Sequence, residues 1–365
     1  MVKRMEIRKY NLEDIALNFF YGSMPKEEDL CDNGYPVFSG YRVVGYSTKY
    51  NIENRSLVVV ARGVGGTGNV EIAEEKTFLT NLSIAVSIDE KLADIDFLKY
   101  YLNVQGLRYL DSGAAQSQIT INNLKHHKIF IPSLVNQKQI ASILSAYDNL
   151  IENNNKRIKI LEQMAENLYK EWFVRFRFPG HETTPIKNGI PKGWEVKKIK
   201  DCVKRLPFNQ TCKANELEPE GKVIVVDQSA DAYIGFHNNE PSHKANVESP
   251  ILLFGDHSCK FVLMIKDFSL GENIVPFVSV DDNWLDRYYL FFATHKIIET
   301  TEYKRHWGQF VSMKIIVPPM SLQQKFSDSM KPIYKEYDEL FVANQNLIKQ
   351  RDLLLPRLMS GKLAV

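Results

Sequence analysis

The stretch KIFIPSLVNQKQI, Lys128–Ile140, returns almost unchanged later in the chain as KIIVPPMSLQQKF, Lys314–Phe326. The central proline and the first shared glutamine, Gln137 in one copy and Gln323 in the other, each recur after 186 residues. The same offset continues for about forty residues, which indicates one duplicated unit without insertions. The chain is therefore predicted to contain two copies of one fold.

Each copy continues from its proline into a long segment with helical periodicity, and proline favours a helix boundary at that point. Apolar residues recur at alternating steps of three and four, which is typical of a coiled-coil seam. A helix over residues 136–173 would be about 55 Å long, longer than one domain of this size needs. Each helix could simply cover its own domain, but two helices of matching period favour an antiparallel pair that acts as a spacer. The predicted seam comprises Leu144, Ile151, Ile158, Leu161, Leu168, Met330, Tyr337, Leu340, Leu347 and Leu354.

Two regions rich in β-branched and aromatic residues lie before and between the predicted helices. We predict an α+β fold with a pseudo-two-fold internal repeat. Its parts are β-rich domains at residues 1–133 and 175–320, and long helices at 134–174 and 321–365. The strand candidates are Ser56–Arg62, Asn69–Ala73, Asn81–Ile88, Lys222–Asp227, Pro250–Gly255 and Lys260–Ile265.

Composition describes an ordinary globular chain of 365 residues, 44% hydrophobic, with a formal net charge of +2. This charge argues against a polycation but permits local basic patches that meet phosphate. No run of about 18 apolar residues occurs and the amino-terminal sequence lacks a signal-peptide core, so a cytoplasmic protein is expected. The four cysteines form no C-x-x-C pair, which signals neither a disulfide framework nor a zinc site.

A glycine-rich segment, Arg62–Gly68, contains the pattern G-x-G-x-x-G after a predicted strand. That pattern cradles a pyrophosphate when a helix follows, whereas here Asn69–Ile72 alternates like a returning strand. A hairpin is therefore the favoured interpretation over a dinucleotide site. Its backbone could still approach DNA closely, with Arg62 as a partner for phosphate or guanine.

Other enzyme patterns are absent or weak. The sequence has no phosphate loop of the form G-x-x-x-x-G-K-[ST], and Pro318-Pro319 lacks the flanking residues of an adenine methyltransferase motif. Carboxylate-x-Lys triplets of the nuclease type occur at Glu74–Lys76 and Asp89–Lys91, but a chain with this composition yields them by chance. No catalytic residue is predicted.

Two histidine-containing pairs, His126–His127 and Asp256–His257, lack the spacing of metal ligands, and no metal site is predicted. Polar loops are better candidates for contact with DNA, because amide and basic side chains pair with base edges. Each such loop could equally be a solvated turn. The candidate DNA-binding residues are Arg62, Gly63, Gly65, Gly66, Gln116, Ser117, Gln118, Lys125, Asp256, His257, Lys260, Lys304, Arg305 and Gln309.

Four motifs follow one another along the chain: Ile131-Pro132 with Asn136-Gln137 and Ile140–Leu144, Lys156–Trp172 (KRIKILEQMAENLYKEW), Gly189–Trp194 (GIPKGW) and Leu353–Lys362 (LLLPRLMSGK). Their combination in this order resembles the specificity subunit of a type I restriction-modification system, and the resemblance covers almost the whole chain. There are two departures from the family pattern. The first domain lacks an Ile-Pro-x-Gly-Trp opening, and the second lacks the Gly-x-x-Gln-x-Gln-Ile form of residues 113–119, so the halves are expected to read unlike sequences.

The resemblance implies two target-recognition domains that each read one half of a bipartite site in double-stranded DNA, held apart by the paired helices. It implies no catalysis and no cofactor in this chain. Its partners would be two methyltransferase subunits that use S-adenosylmethionine to methylate adenine, and restriction subunits can join them; no membrane is involved. Three alternatives stay open: a subunit of a related fused methylase-nuclease system, an independent DNA-cutting or DNA-modifying enzyme, and a coiled-coil adaptor that binds no DNA.

Overall fold

The computed structural model describes residues 6–63, 66–111, 118–208, 211–299, 302 and 304–363. The chain divides into two compact units. Unit 1 combines Met1–Asn153 with Asn344–Val365, and unit 2 is the continuous segment Asn154–Ala343. The two long helices therefore each contribute one part to each unit.

Unit 1 contains two four-stranded sheets and a separate pair of strands. Its elements in chain order are β1 (Arg8–Asn11), β2 (Ala16–Tyr21), β3 (Leu30–Cys31), β4 (Tyr35–Ser39), β5 (Arg42–Ser47), β6 (Ser56–Val60), β7 (Val70–Ala73), β8 (Phe78–Leu79), β9 (Ser83–Ile88), α1 (Ile95–Gln105), α2 (Ile121–Lys125), β10 (Lys128–Ile131) and the start of α3 (Leu134–Tyr169). The main sheet has the order β2-β9-β6-β7, and the side sheet has the order β3-β5-β4-β8.

Unit 2 contains one four-stranded sheet, one three-stranded sheet and two strand pairs. Its elements are β11 (Ile186–Lys187), β12 (Ile190–Pro191), β13 (Glu195–Lys198), β14 (Val203–Arg205), β15 (Val223–Val226), β16 (Gly235–His237), β17 (Ile251–Gly255), β18 (Phe261–Met264), β19 (Phe268–Leu270), β20 (Ile274–Ser279), α4 (Arg287–Thr294), α5 (Trp307–Ser312), β21 (Lys314–Val317) and the start of α6 (Met320–Met359). The main sheet has the order β14-β20-β17-β18, and the side sheet has the order β16-β15-β19.

The main sheets of the two units have the same topology. The order β2-β9-β6-β7 corresponds element by element to β14-β20-β17-β18, and all neighbouring strands are antiparallel. A helix follows the sheet in each unit and begins at an aspartate whose side chain caps it, Asp94 for α1 and Asp286 for α4. The predicted α+β fold and internal repeat are confirmed, and each of the six predicted strand segments contains a strand.

The beginning of unit 1 forms the same strand pair as unit 2, although its sequence lacks the Ile-Pro-x-Gly-Trp opening. β1 pairs with β10, with Arg8 opposite Ile131, and β13 pairs with β21, with Glu195 opposite Val317. Pairing needs backbone hydrogen bonds and a buried face rather than a particular motif. Unit 1 therefore lacks the opening motif but keeps the strand pair that this part of the fold requires.

A buried glutamine joins each long helix to the unit in which that helix begins. The Oε1 of Gln137 accepts a hydrogen bond of 2.9 Å from the N–H of Asp94, and its Nε2 donates to the proline carbonyl five residues earlier at 2.8 Å. Gln323 bonds the N–H of Asp286 at 2.8 Å and its own preceding proline carbonyl at 2.7 Å. Because a buried amide needs hydrogen-bond partners, these bonds explain why both copies of the repeat carry glutamine five residues after proline.

The motif GIPKGW supplies its tryptophan to the core of unit 2. Trp194 is 6% exposed, and its ring centroid lies 5.9 Å from that of Phe173 and 5.3 Å from those of Phe176 and Phe178. Aromatic side chains of this size contribute the largest apolar areas to a core. This part of the motif is therefore structural.

The long helices pair in an antiparallel sense within each unit. In unit 2, Arg157 of α3 donates to Glu336 of α6 at 2.5 Å, and further along α3 the ring of Tyr169 lies 6.2 Å from that of Phe326. In unit 1, the cluster that holds Leu144 of α3 also holds Leu354, Leu355, Leu358 and Met359 of α6. All ten predicted seam residues are buried or half-buried. Their apolar burial stabilises the pairing of the helices more than the exposed ion pair between Arg157 and Glu336 does.

The ends of the helices differ slightly from the sequence prediction. α3 ends at Tyr169 and continues as a π-helical turn over Lys170–Val174. α6 ends at Met359, three residues after Pro356, a residue type that disfavours a continuing helix.

Candidate nucleic-acid interface

Three loops of unit 1 meet at one end of its main sheet. The N–H of Ala61, directly after β6, donates to the carbonyl of Leu82, before β9, at 2.9 Å. The N–H of Ile119, before α2, donates to the carbonyl of Ala61 at 3.0 Å. We call residues 61–63, 66–69, 80–82 and 118–120 the three-loop edge of unit 1.

Unit 2 builds a corresponding edge with the same backbone bonds. The N–H of Asp256, directly after β17, donates to the carbonyl of Asn273, before β20, at 2.9 Å. The N–H of His306, before α5, donates to the carbonyl of Asp256 at 2.8 Å. Residues 256–260, 271–273 and 304–306 form the three-loop edge of unit 2, which occupies the same place in the same topology.

The glycine-rich segment of unit 1 is a hairpin between β6 and β7. The N–H of Val60 donates to the carbonyl of Asn69, and the N–H of Gly68 donates to that of Val60, both at 2.9 Å. Gly68 has a φ of 94°, and a β-carbon there would lie 2.7 Å from the backbone nitrogen of Arg108, so only glycine fits. The hairpin prediction is confirmed, since a strand and not a helix follows the glycines.

The candidate residues of unit 1 lie on or beside this edge. Arg62 and Gly63 are exposed on the hairpin, whereas Gly66 is buried and a β-carbon there would lie 3.6 Å from the ring of Tyr41. Gln118 is half-buried at the start of the segment before α2. Arg62 is therefore the basic side chain of the hairpin that is open to a ligand.

Of the four remaining candidates of unit 1, the structure describes only Lys125. Lys125 ends α2, and its Nζ lies 5.8 Å from the ring centroid of Phe19 on β2. Gly65, Gln116 and Ser117 lie outside the residues that the structure describes.

Asp256 of unit 2 holds the loop that precedes α5. Its Oδ1 accepts hydrogen bonds from the N–H groups of His306 at 3.1 Å and Trp307 at 2.9 Å. A carboxylate in this position satisfies the otherwise unpaired N–H groups at a helix start. The Nε of Arg305 lies 3.8 Å from Oδ2, and 81% of the Arg305 side chain is exposed. Asp256 therefore shapes the loop, and Arg305 is the side chain that the loop presents.

Lys260 and His257 fasten the turn between β17 and β18. The Nζ of Lys260 donates to the carbonyls of Asp227 at 3.2 Å and Asp231 at 2.5 Å. Burial lowers the pKa of Lys260 below its ordinary value. The N–H of His257 donates to Oε1 of Gln228 at 3.0 Å. The ammonium group of Lys260 thus already has protein partners.

Lys304 and Gln309 lie on either side of the buried His306. The Nζ of Lys304 pairs with Glu302 at 2.6 Å, and Oε1 of Gln309 lies 3.3 Å from Nδ1 of His306. Both side chains are exposed. The structure therefore gathers the candidates of unit 2 at one edge, with Arg305, Lys304 and Gln309 accessible there.

Several residues at these edges were missed in the sequence. Tyr41, in the turn between β4 and β5, is exposed and its ring lies beside Gly66, and Arg42, the first residue of β5, is exposed next to it. Their only signal in the sequence is an aromatic residue next to a basic one. The guanidinium of Arg205, at the end of β14, lies 5.3 Å from the ring centroid of Trp307. No local pattern joins these two residues, because they are distant in sequence and only the fold brings them together.

The described part of the chain contains no group of three or more His, Cys, Asp or Glu side chains placed to hold a metal ion. None of its helices is long and apolar enough to cross a membrane.

The sequence matches one family twice, the type I restriction modification DNA specificity domain, over residues 5–163 and 191–350. The chain belongs to this family. The two copies of a DNA specificity domain identify it as a DNA-recognition protein, a specificity subunit. The resemblance found in the sequence is thereby confirmed.

Two relatives from Methanocaldococcus jannaschii illustrate the similarity of this specificity subunit to others. The Type I restriction enzyme MjaIX specificity subunit is 28% identical over 293 residues, which is 71% of this chain and 66% of the relative. The putative type I restriction enzyme MjaX specificity subunit is 25% identical over 290 residues, 73% and 67% of the two chains. The matches thus span about two thirds of the length of these relatives.

A solved structure has the same fold. The type I restriction-modification system S subunit from M. genitalium aligns with a TM-score of 0.68 at 18% identity, over 97% of this chain and 96% of that chain.

Proposed function

We propose that each unit of this specificity subunit reads one half of a bipartite target in double-stranded DNA. The observation that carries the proposal is the repetition of the three-loop edge with unlike side chains. Unit 1 presents Arg62 on a glycine-rich hairpin, whereas unit 2 presents Arg305 on a loop held by Asp256. Two copies of one scaffold that differ at the same edge fit two half-sites of different sequence. Contacts to phosphate supply affinity, and contacts to base edges supply selectivity.

We further propose that residues 1–133 and 175–320 act as the target-recognition domains and that helices 134–174 and 321–365 act as the spacer. The antiparallel pairing of α3 and α6 within each unit supports this assignment. The bonds of Gln137 and Gln323 support it too, because they fix each helix to the domain before it. The spacer then sets the number of unread base pairs between the half-sites.

The proposed partners are two methyltransferase subunits, which use S-adenosylmethionine to methylate adenine, with restriction subunits joining them. The relatives of this chain are named as specificity subunits of type I restriction enzymes, which supports a role within such an assembly. The complex would act in the cytoplasm, where its DNA target lies.

The proposal is tested by mapping adenine methylation in cells that express this chain together with the methyltransferase subunit of its system, compared with the methyltransferase alone. A bipartite motif that appears only with this chain is the expected result. Methylation that is absent, or unchanged by this chain, would contradict the proposal.

The spacer is tested by inserting one heptad into each helix at the boundary between the units, between Asn153 and Asn154 and between Ala343 and Asn344. Seven helical residues add about 10 Å, so the unread spacer should lengthen by about three base pairs while both half-sites stay the same. Seven residues inserted between Asn188 and Gly189, in the turn between β11 and β12, are the control and should leave the spacer unchanged. An unchanged spacer in the helix variant would show that the length of the helices does not set the number of unread base pairs.

A further inference from the structure

The guanidinium group of Arg205, at the end of β14, lies close to two aromatic rings. Its central carbon lies 5.3 Å from the ring centroid of Trp307 and 5.7 Å from that of Phe208. Trp307 is itself fixed, because its backbone N–H donates to Asp256 and its ring packs 5.4 Å from Phe310. The ring of Trp307 therefore supports Arg205 from a defined position, whereas Phe208 is exposed.

Arg205 lies beside the three-loop edge of unit 2. Trp307 directly follows the loop that carries Arg305, and β14 is the outer strand of the main sheet next to β20. The Arg205 side chain is exposed, and no carboxylate of the described chain lies within 4 Å of it. Its N–H donors thus face solvent next to the other accessible candidates.

Contact with aromatic rings restricts the place of a guanidinium group, which is itself planar and presents its N–H donors as a rigid fork. A charge alone is enough to meet a phosphate, whereas a planar fork held in place favours a planar partner that accepts two parallel hydrogen bonds. The O6 and N7 atoms of guanine in the major groove are such a partner. We propose that Arg205 is a specificity-determining residue of unit 2 that reads a guanine in its half-site; this inference rests on the proposed function.

Unit 1 has a similar cation–aromatic contact between β2 and α2, the elements that correspond to β14 and α5. In unit 1, however, the aromatic residue lies on the strand and the cation on the helix. There the ring belongs to Phe19 of β2, and the cation is Lys125 at the end of α2. An ammonium group is a point charge without a plane, so this pair carries no comparable preference for guanine. The planar contact is therefore specific to the half-site that unit 2 reads.

The test uses the full chain with its methyltransferase subunit and compares Arg205→Ala, Arg205→Lys and the control Lys204→Ala. Lys204 lies on the same strand with its side chain on the opposite face, and it carries the same charge. Both Arg205 variants should lose about five- to a hundred-fold of the discrimination at one G·C pair of one half-site, with the other half-site and the spacer unchanged. Lys204→Ala should leave the motif as it is.

Two results would overturn the inference while leaving the proposed function standing. One is an unchanged motif in Arg205→Ala with normal methylation. The other is that Arg205→Ala lowers methylation at all sites without relaxing the sequence preference, and that Arg205→Lys restores methylation. That result would identify a phosphate contact. If the unmodified chain gives no bipartite motif, the proposed function fails and this inference fails with it. Thermal melting of each variant checks that a loss of methylation is not a loss of folding.

Discussion

At the start of each long helix, Gln137 and Gln323 make the same pair of hydrogen bonds, whereas the three-loop edges of the two units present different side chains. The glutamine joints hold the helices in place, and any change there leaves buried N–H and carbonyl groups without partners. The edges share only backbone bonds, which leave their side chains free to differ. The comparison teaches that the buried hydrogen bonds of the repeat are kept in both units, whereas the side chains at the proposed DNA-binding edges are free to differ.

The largest expected effect is on the free energy of unfolding when either buried glutamine, Gln137 or Gln323, is replaced. Gln137→Leu and Gln323→Leu should each lower the free energy of unfolding by about 2–4 kcal/mol, because a buried N–H and a buried carbonyl lose their partners. All four tryptophans, Trp172, Trp194, Trp284 and Trp307, belong to unit 2, so tryptophan fluorescence during denaturation should report mainly on Gln323→Leu.

Exposed glutamines on the same helices are the controls for the joints. Gln139→Ala and Gln324→Ala should each change the free energy of unfolding by no more than about 0.5 kcal/mol. Joint variants that behave like these controls would show that the repeated glutamines do not hold the helices.

A smaller effect is expected at the edge of unit 2. Asp256→Ala removes the side-chain acceptor of the Trp307 N–H at the start of α5, while the His306 N–H keeps the backbone carbonyl of residue 256, and should cost about 1–2 kcal/mol. Because the loop with Arg305 loses its support, methylation mapping should show relaxed recognition of one half-site only. Glu240→Ala removes an exposed carboxylate of the same unit outside the three-loop edge and should affect neither stability nor motif. A change in both half-sites would contradict the separation of the two edges.

The smallest effect concerns a histidine that only unit 1 has at its place in the repeat. His127 is buried against Tyr109, burial lowers its pKa, and the repeat offset places Met313 at the same position of unit 2. The unfolded chain therefore binds a proton near the ordinary pKa of about 6.5, whereas folded His127 binds its proton only at lower pH. Its contribution to stability is present above that pH and is lost as the pH falls below it.

The measurement is the free energy of unfolding between pH 7.5 and pH 5.5. The unmodified chain should lose about 1 kcal/mol more than His127→Asn across this range. The exposed neighbour His126 is the control, and His126→Asn should keep the full pH dependence. Equal pH dependence in all three proteins would show that His127 does not titrate differently on folding.

Periodicity and repetition predicted the framework well, because helical seams and strands leave regular marks in the sequence. The offset between the two glutamines was visible, yet their partners were not, since Asp94 and Asp286 lie far from them in sequence and only the fold brings them together. The same reason hid the stacking of Arg205 on Trp307.

The candidate DNA-binding residues stay a prediction. The loops were chosen for their polar residues, and the structure places the described candidates of each unit at or near one edge. Charge type alone could not show that Asp256 and Lys260 are engaged within the protein, whereas Arg62 and Arg305 face solvent. Hydrogen-bond partners decide that distinction, and they are a property of the fold.

The division of the chain into units sets the order in which the two units can be completed during synthesis on the ribosome. Unit 2 is one continuous segment, whereas unit 1 needs Met1–Asn153 together with Asn344–Val365, which are separated by the 190 residues of unit 2. Leu358, 1% exposed in the core of unit 1, is made only after the whole of unit 2. Unit 1, which is begun first, is therefore completed after unit 2. Until its second segment is made, its apolar surface stays exposed and is open to chaperones that bind the nascent chain.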